Sequence, residues 1–576
     1  LGKPCAPEHL QGALTGTTQT TLFVLFGLGV GHTAKALRAL TRSPIVVYEP
    51  RVGLLRTILE RGPQDLADVD IVTNSHDLAI VWGRLAGTQR DVIIINTPGY
   101  SEVFPTECAE LPAMVTRLVE RVSITKNTYR KRARSWIEDI LSNVELLSTA
   151  PPFLALENKY KGIPAFIVGA GPSLDKNIAL LREAGKKGIV IAANSGAIAL
   201  GNNGVVPHVI TCIESIDISE RLKTIPNIDR CIRAFSLAAH PASLRTGNGP
   251  LLPLYEAIPQ YSQPLEELTG VSGVSVCGSV STAAFSLAQK LGCSPIVLVG
   301  QDLAFTQGRT YAGGTGYESS TAQVNAESGE VQLSWNEEIT RLHGTQHGPR
   351  HTAEPLMPVT AWGGQGTVAS GPSFMAINTW LEGMSALFKQ SKTGTRLVNA
   401  TEGGARVLGF EELTLRQVLD ELPELAISVE KIVADAKLAA RPQSVQQIER
   451  WTLDQVTRTQ QTLKMARRVR RLAEHATRAV DSGRPEAVSR AFSALDSAEL
   501  GLKRAVSSTP FLDAWSHLPV DSLMNTQRTL VDTDIRSTAR SAVEVGGRLA
   551  ATIEQSAREL EHVLKALAKK LHQTTS

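Results

Sequence analysis

The stretch Ile163-Pro164-Ala165-Phe166-Ile167-Val168-Gly169-Ala170-Gly171-Pro172-Ser173-Leu174-Asp175 decides the fold. Its unbroken apolar run reads as a strand buried on both faces, the kind found in parallel sheets. Gly169 and Gly171 then make a turn whose backbone can approach a phosphate or a ribose. Pro172 presets φ, and Ser173 suits the cap of a following helix, whose free N–H groups attract anions. No Gly-Lys-Ser/Thr follows, so the turn is not a Walker A loop.

Working outward, the same grammar repeats. Gly188–Ala197 (GIVIAANSGA) is a second strand ending at Asn194, and His208–Ser215 (HVITCIES) is a third ending near Glu214, with Asp217 beyond it. Gly278-Ser279-Val280-Ser281-Thr282 opens a helix of small residues and offers hydroxyls and N–H groups. Pro295–Phe305 (PIVLVGQDLAF) is another buried strand, with Asp302 at its end. These polar groups all fall at the carboxyl ends of expected strands, where open parallel sheets bind ligands. Their recurrence points to a nucleotide site. The segment 306–371 is rich in Gly, Thr and His, lacks periodicity and reads as a long functional loop.

Toward the N-terminus, Thr21–Gly31 (TLFVLFGLGVG) also enters a glycine turn, but its third glycine comes one residue too early for G-x-G-x-x-G. Glu49 ends the next strand, where a dinucleotide or methyl-donor fold places a ribose-binding acid. Nothing downstream supplies hydride-transfer or methyl-transfer chemistry, so a scaffold or docking role is the expected one. From Glu411 onward helical spacing takes over, with Leu549, Ile553, Leu560, Leu564, Leu567 and Leu571 on one face. The expectation is an α/β protein in three parts. These are a smaller Rossmann-like domain (1–150), a central Rossmann-like parallel-sheet domain (151–410) and an α-helical bundle (411–576).

Composition excludes several function classes. The 576 residues carry a formal net charge of +3, so the protein is neither strongly polyanionic nor strongly polycationic, with room for a local basic patch. The six cysteines form no CxxC pair and no zinc spacing, which fits reduced thiols in a cytoplasm. No apolar run has bilayer-crossing length, and no signal sequence is evident. The Arg467-Arg468 and Arg470-Arg471 cluster has no interleaved aromatics, so a solvated face or a protein-docking face is expected rather than a nucleic-acid site. The central region has no DxD pair; Asp532-Thr533-Asp534 has that spacing but lies in the tail.

The central motifs, from GIPAFIVGAGPSLD through AANSGA, GSVSTAAFSLAQKLG and VLVGQDLAF to Leu397–Ala405 (LVNATEGGA), resemble the motility accessory factor family, which decorates flagellin with nonulosonic acids. They are also similar to bacterial sialyltransferases that use CMP-sialic acid. That resemblance implies CMP binding by Gly169, Gly171, Ser173, Asn194, Ser279, Ser281, Thr282 and Asp302, and a phosphate contact by Tyr311. Glu214 is a further substrate-side candidate. His343, His347 and His351 lie where those enzymes keep a catalytic histidine, in a pattern that does not match. His343 and His347 are the candidate bases, with Asp302 and Glu214 as carboxylate alternatives. The implied reaction moves a pseudaminic, legionaminic or sialic-type sugar from a CMP donor to Ser or Thr of flagellin, with no cofactor or metal required. Two other readings stand beside it: a pterin diphosphokinase, whose archaeal members resemble the same central fold, and a non-catalytic flagellin-binding factor. Oligomeric state is left open.

Overall fold

The computed structural model describes residues 10, 21–41, 43–61, 68–74, 77–78, 81–82, 91–325, 327–337, 339–340, 351–516 and 535–575. The chain divides into two compact units, Leu1–Tyr129 and Arg130–Ser576.

The first unit is built on four parallel strands: β1 (Thr21–Phe26), β2 (Ile45–Tyr48), β3 (Asp70–Val72) and β4 (Asp91–Asn96), in the order β3-β2-β1-β4. Helices α1 (His32–Leu40) and α2 (Val52–Arg61) follow β1 and β2. Every residue of β1 and β2 is buried. Each such Val, Leu, Ile or Phe contributes roughly 1.5–3 kcal/mol by leaving water. The long helix α3 (Pro105–Asn143) carries the chain into the second unit.

The second unit holds a seven-stranded sheet: β5 (Ala165–Val168), β6 (Ile189–Ala193), β7 (Val209–Cys212), β8 (Ile232–Phe235), β9 (Ile296–Val299), and later β15 (Leu397–Asn399) and β16 (Glu411–Glu412). All pairings are parallel, in the order β16-β15-β9-β5-β6-β7-β8. Strand order therefore reverses beside β5, which has β6 on one side and β9 on the other. Helices α4 (Asn194–Asn202), α5 (Ser219–Lys223) and α6 (Val280–Leu291) are among the connections.

Two differences from the sequence reading concern short strands. Segment 306–371 is not one irregular loop. It contains an antiparallel sheet of β10 (Thr321–Asn325), β11 (Glu330–Ser334) and β12 (His351–Pro355), and a hairpin of β13 (Met357–Thr360) and β14 (Thr367–Ser370). Five-residue strands between glycine turns give too few alternations to register as a period. Likewise Glu411–Glu412 adds an edge strand, so the helical part starts only after it.

After α7 (Pro372–Gln390), the tail forms α8 (Val429–Ala439), α9 (Val445–Ser482), α10 (Pro485–Ser507) and α11 (Ile535–Thr575). Ser444 and Gln447 close a capping box on α9, and Gly483 ends it at φ 68°. The stripe read from sequence is core: Leu560 and Leu564 are 0% exposed and Ile553 6%. Tail and sheet belong to one unit. Tyr160 donates to Asp435 at 2.8 Å, and the Trp451 indole N–H donates to the Pro264 carbonyl at 2.8 Å. Among the described residues no helix is long and apolar enough to cross a membrane.

Candidate functional site

A cavity of about 330 Å³ opens at the carboxyl ends of β5, β6, β7 and β9, where strand order reverses. That is the position an open parallel sheet reserves for ligands. A larger hollow of about 670 Å³ lies beside Pro207 and His208 at the amino ends of the strands, against α8. Its lining takes in the start of α8 at Ser428–Glu430 but no glycine turn, so the smaller cavity, which joins glycine turns to two helix starts, is the chemical candidate.

The floor is made by close backbone approach. The Gly171 amide donates to the Gly300 carbonyl at 2.8 Å. A methyl group on Gly171 would stand 2.2 Å from Asp302 Oδ1, and one on Gly169 2.5 Å from the Gly300 carbonyl oxygen. Only glycine fits. Asp302 is 2% exposed and accepts from the Ser173 amide at 3.1 Å, the Ser173 hydroxyl at 2.7 Å and the Thr306 hydroxyl at 2.7 Å. Burial raises its carboxyl pKa, opposed by these bonds. Asp302 borders the cavity but acts as a clamp that ties β9 to the β5 turn.

Asn194 begins α4 in the wall, its side-chain oxygen accepting from the Ser195 amide at 2.8 Å. Ser279 and Ser281 line the start of α6, their hydroxyls 2.9 Å apart. Thr282 is turned inward: it accepts from the Cys277 amide at 3.0 Å and donates to the Ser279 carbonyl at 2.6 Å. Of the residues singled out in the sequence, Gly169, Gly171, Asn194, Glu214, Ser279, Ser281, Asp302 and Tyr311 meet at the cavity. Ser173 and Thr282 stand behind it and hold its loops. His343 and His347 lie outside the described residues, and His351 opens β12.

Apart from Tyr311 and Glu214, the remaining wall was not singled out in the sequence. Arg221, on α5, is 5% exposed. It donates to the Thr315 carbonyl at 2.6 Å and to the Ser195 hydroxyl at 3.3 Å, and its guanidinium lies 3.4 Å from the Tyr317 ring centroid. Tyr311 stacks edge-on against Tyr317 at 5.2 Å. Burial raises the Tyr311 phenol pKa and the Arg221 charge lowers it. Nothing in the local sequence Ser219–Lys223 separates Arg221 from a surface arginine; the two tyrosines six residues apart in a glycine-rich loop were the available hint. Trp335 and Phe374 complete the mouth. Glu214, just after β7, sits half-buried in the wall; burial raises its carboxyl pKa and Arg132 opposes the rise. Among the described residues no group of three His, Cys, Asp or Glu could hold a metal.

The first unit's glycine turn is different. Gly27, Gly29 and Gly31 all have positive φ, but the Tyr100 ring fills the space beside Gly27, where a methyl would meet that ring at 2.1 Å. Tyr100 Oη accepts from the Gly29 amide at 3.0 Å and donates to Glu49. Glu49 is 0% exposed and also accepts from the Leu28 and Arg51 amides, each at 3.1 Å. The acid that could hold a ribose is spent on the chain itself.

Three similarities accompany this geometry. Residues 138–308 match the family described as 6-hydroxymethylpterin diphosphokinase MptE-like. A protein of Treponema pallidum (strain Nichols), described as uncharacterized, is 29% identical over 197 residues, which are 33% of this chain and 44% of the relative. The chain thus spans under half the length of that curated relative. The structure of MAf glycosyltransferase from Magnetospirillum magneticum AMB-1 is similar over 99% of this chain and 85% of its own, with a TM-score of 0.50 and 14% identity. At that identity the likeness establishes a shared fold: α/β with parallel sheets and a helical C-terminal region.

Proposed function

We propose that the carboxyl-edge cavity binds a nucleotide-activated sugar, and that the chain is a glycosyltransferase of the motility accessory factor kind. One observation carries this reading. Two glycine-tight strand ends, the hydroxyl-bearing start of α6 and the Arg221–Tyr311 wall converge on a single cavity at the point where strand order reverses. The fold shared with MAf glycosyltransferase supports it. In the finer form of the reading, the donor is a CMP-activated nonulosonic acid and the acceptor a Ser or Thr hydroxyl of flagellin, in the cytoplasm.

The chemistry follows from the wall. The helix starts at Asn194 and Val280 present N–H groups toward a phosphate, while the Gly169–Gly171 turn, its two glycine amides bonded to Val299 and Gly300, supplies the close floor beneath it. Arg221 and Tyr311 stabilise negative charge as the sugar–phosphate bond breaks, and the oriented cavity holds the acceptor in line. A donor with one phosphate places its leaving charge within reach of these groups. The test is thermal shift and transfer together. CMP raises Tm more than ATP or NAD because it binds the native state alone. Arg221→Ala removes most of that shift when it is measured against the variant's own ligand-free Tm, which falls because the Thr315 carbonyl loses its donor. Equal shifts with all three nucleotides, or none with CMP, defeat the reading.

The match over residues 138–308 favours one second reading, a pterin diphosphokinase. AMP release from ATP that depends on hydroxymethylpterin would establish it, and CMP would then give no shift.

A further inference from the structure

Resting on the transferase reading, we propose that Glu214 is the catalytic base that takes the proton from the attacking hydroxyl. Three carboxylates stand at or near the cavity's edge, and the structure separates them. Asp302 is closed off by Ser173 and Thr306 and is 2% exposed. Asp217 is half-exposed, is held by Ser219, lies 3.8 Å from His240 Nδ1, and has its carboxyl below the usual range. A carboxylate that is this well stabilised is a weak base.

Glu214 is built the other way. Its main chain is anchored, because the His240 amide donates to the Glu214 carbonyl at 2.9 Å. Its side chain lines the cavity, and among the described residues no hydrogen bond reaches its carboxylate. It follows β7, two strands from β5, so it faces the side of the cavity away from the Gly169–Gly171 turn. A transferase needs that separation, with charge-stabilising donors at the leaving group and a carboxylate at the nucleophile.

The charged and titratable groups around Glu214 are Arg132, Tyr311, Cys212, Asp217 and His240. Arg132, on α3, donates to the Ser215 hydroxyl at 3.5 Å and favours the ionised carboxylate that Glu214 must present before the step. Burial raises the Glu214 pKa, which brings it nearer the pH at which a base is most effective. The step balances. The acceptor O–H bond breaks, with its proton going to a Glu214 oxygen. The acceptor oxygen bonds to the anomeric carbon. The bond from that carbon to the phosphate oxygen breaks, and its electron pair leaves with CMP. Solvent at the open mouth then takes the proton from Glu214.

The experiment uses the full chain, CMP-N-acetylneuraminic acid as donor probe and water as acceptor, with CMP release as readout. Glu214→Gln keeps the ligand-free Tm and the CMP-induced shift but loses about 10²–10⁴-fold in CMP release. The wild-type rate rises with pH through a carboxylate pKa above the ordinary range, because the base must be ionised; the Gln variant has no such rise. Formate, a mobile carboxylate, partly restores Glu214→Ala. Release by Glu214→Gln within threefold of wild type overturns the assignment. If wild type neither binds CMP nor releases it, the transferase reading falls first and takes Glu214 with it.

Discussion

Asp139 shows how far one residue can stand from its unfolded chemistry. On α3, it is 9% exposed, and one carboxylate oxygen has no hydrogen-bond partner among the described residues. Burial and then Glu138 push its carboxyl up to about 7, against Arg132. A raised folded pKa means the fold holds a proton that the unfolded chain releases. The associated stability is present at low pH and is lost as pH climbs from about 4 to 7. Asp139→Asn is therefore expected to raise stability at pH 8 by roughly 2 kcal/mol, a figure discounted for solvent screening, and to change it far less at pH 4. Urea melts at the two pH values check this, and equal effects at both would refute it. Residue scale is also where the arginine cluster divides. The sequence treated Arg467–Arg471 as one face, yet Arg467 and Arg470 turn toward Glu554 while Arg468 and Arg471 are exposed.

At the scale of elements, Glu554 of α11 is the junction with α9. Its side chain is 9% exposed and meets Arg467, Arg470 and Arg558. These arginines hold its carboxyl below the usual range against desolvation. Its stabilisation is thus present above the ordinary glutamate pKa and lost as pH falls through the depressed one. Glu554→Gln removes the counterion shared by three guanidiniums, of which Arg470 keeps Glu474, and costs roughly 1 kcal/mol at pH 7 after solvent screening, less once the pH falls below the depressed pKa, where the wild type has itself lost the charge. Chemical denaturation across that range checks it. Elements also show what a sequence reveals. The strands β5, β6, β7 and β9 were legible because every position is buried and all but Thr211 are apolar. The pairs β10–β11 and β13–β14 were not, because half their residues face solvent and each run is five residues or fewer. In the site, the glycine turns could be read because the glycines directly follow a buried apolar run, although the groups that demand them, Gly300 and Asp302, stand far along the chain. Arg221 could not, because its meaning comes from Thr315 and Tyr317, nearly a hundred positions away. Ser173 was legible as a polar turn residue, but its bond to Asp302 spans 129 positions.

At the scale of the molecule, the helical tail is not a detachable appendage of the sheet it follows. Asp435 holds Tyr160, Trp451 holds Pro264, and Arg134 lies over the Trp515 ring at 4.6 Å. Ending the chain after Phe410 strips these partners and uncovers apolar surface. The truncated protein is expected to lose its cooperative thermal transition, and with it any CMP-induced shift. A sharp melt with intact CMP binding would show instead that the sheet stands without the tail. The two parallel sheets also differ in what they leave open. One ends in a cavity. The other ends in Tyr100, whose ring and hydroxyl already occupy the glycine turn and Glu49. To an incoming nucleotide the first unit therefore behaves as a receptor already saturated by a tethered competitor. That competitor's concentration is fixed by the chain and cannot be diluted, so a library of nucleotide-like compounds screened against this protein is expected to find nothing at the first unit's glycine turn.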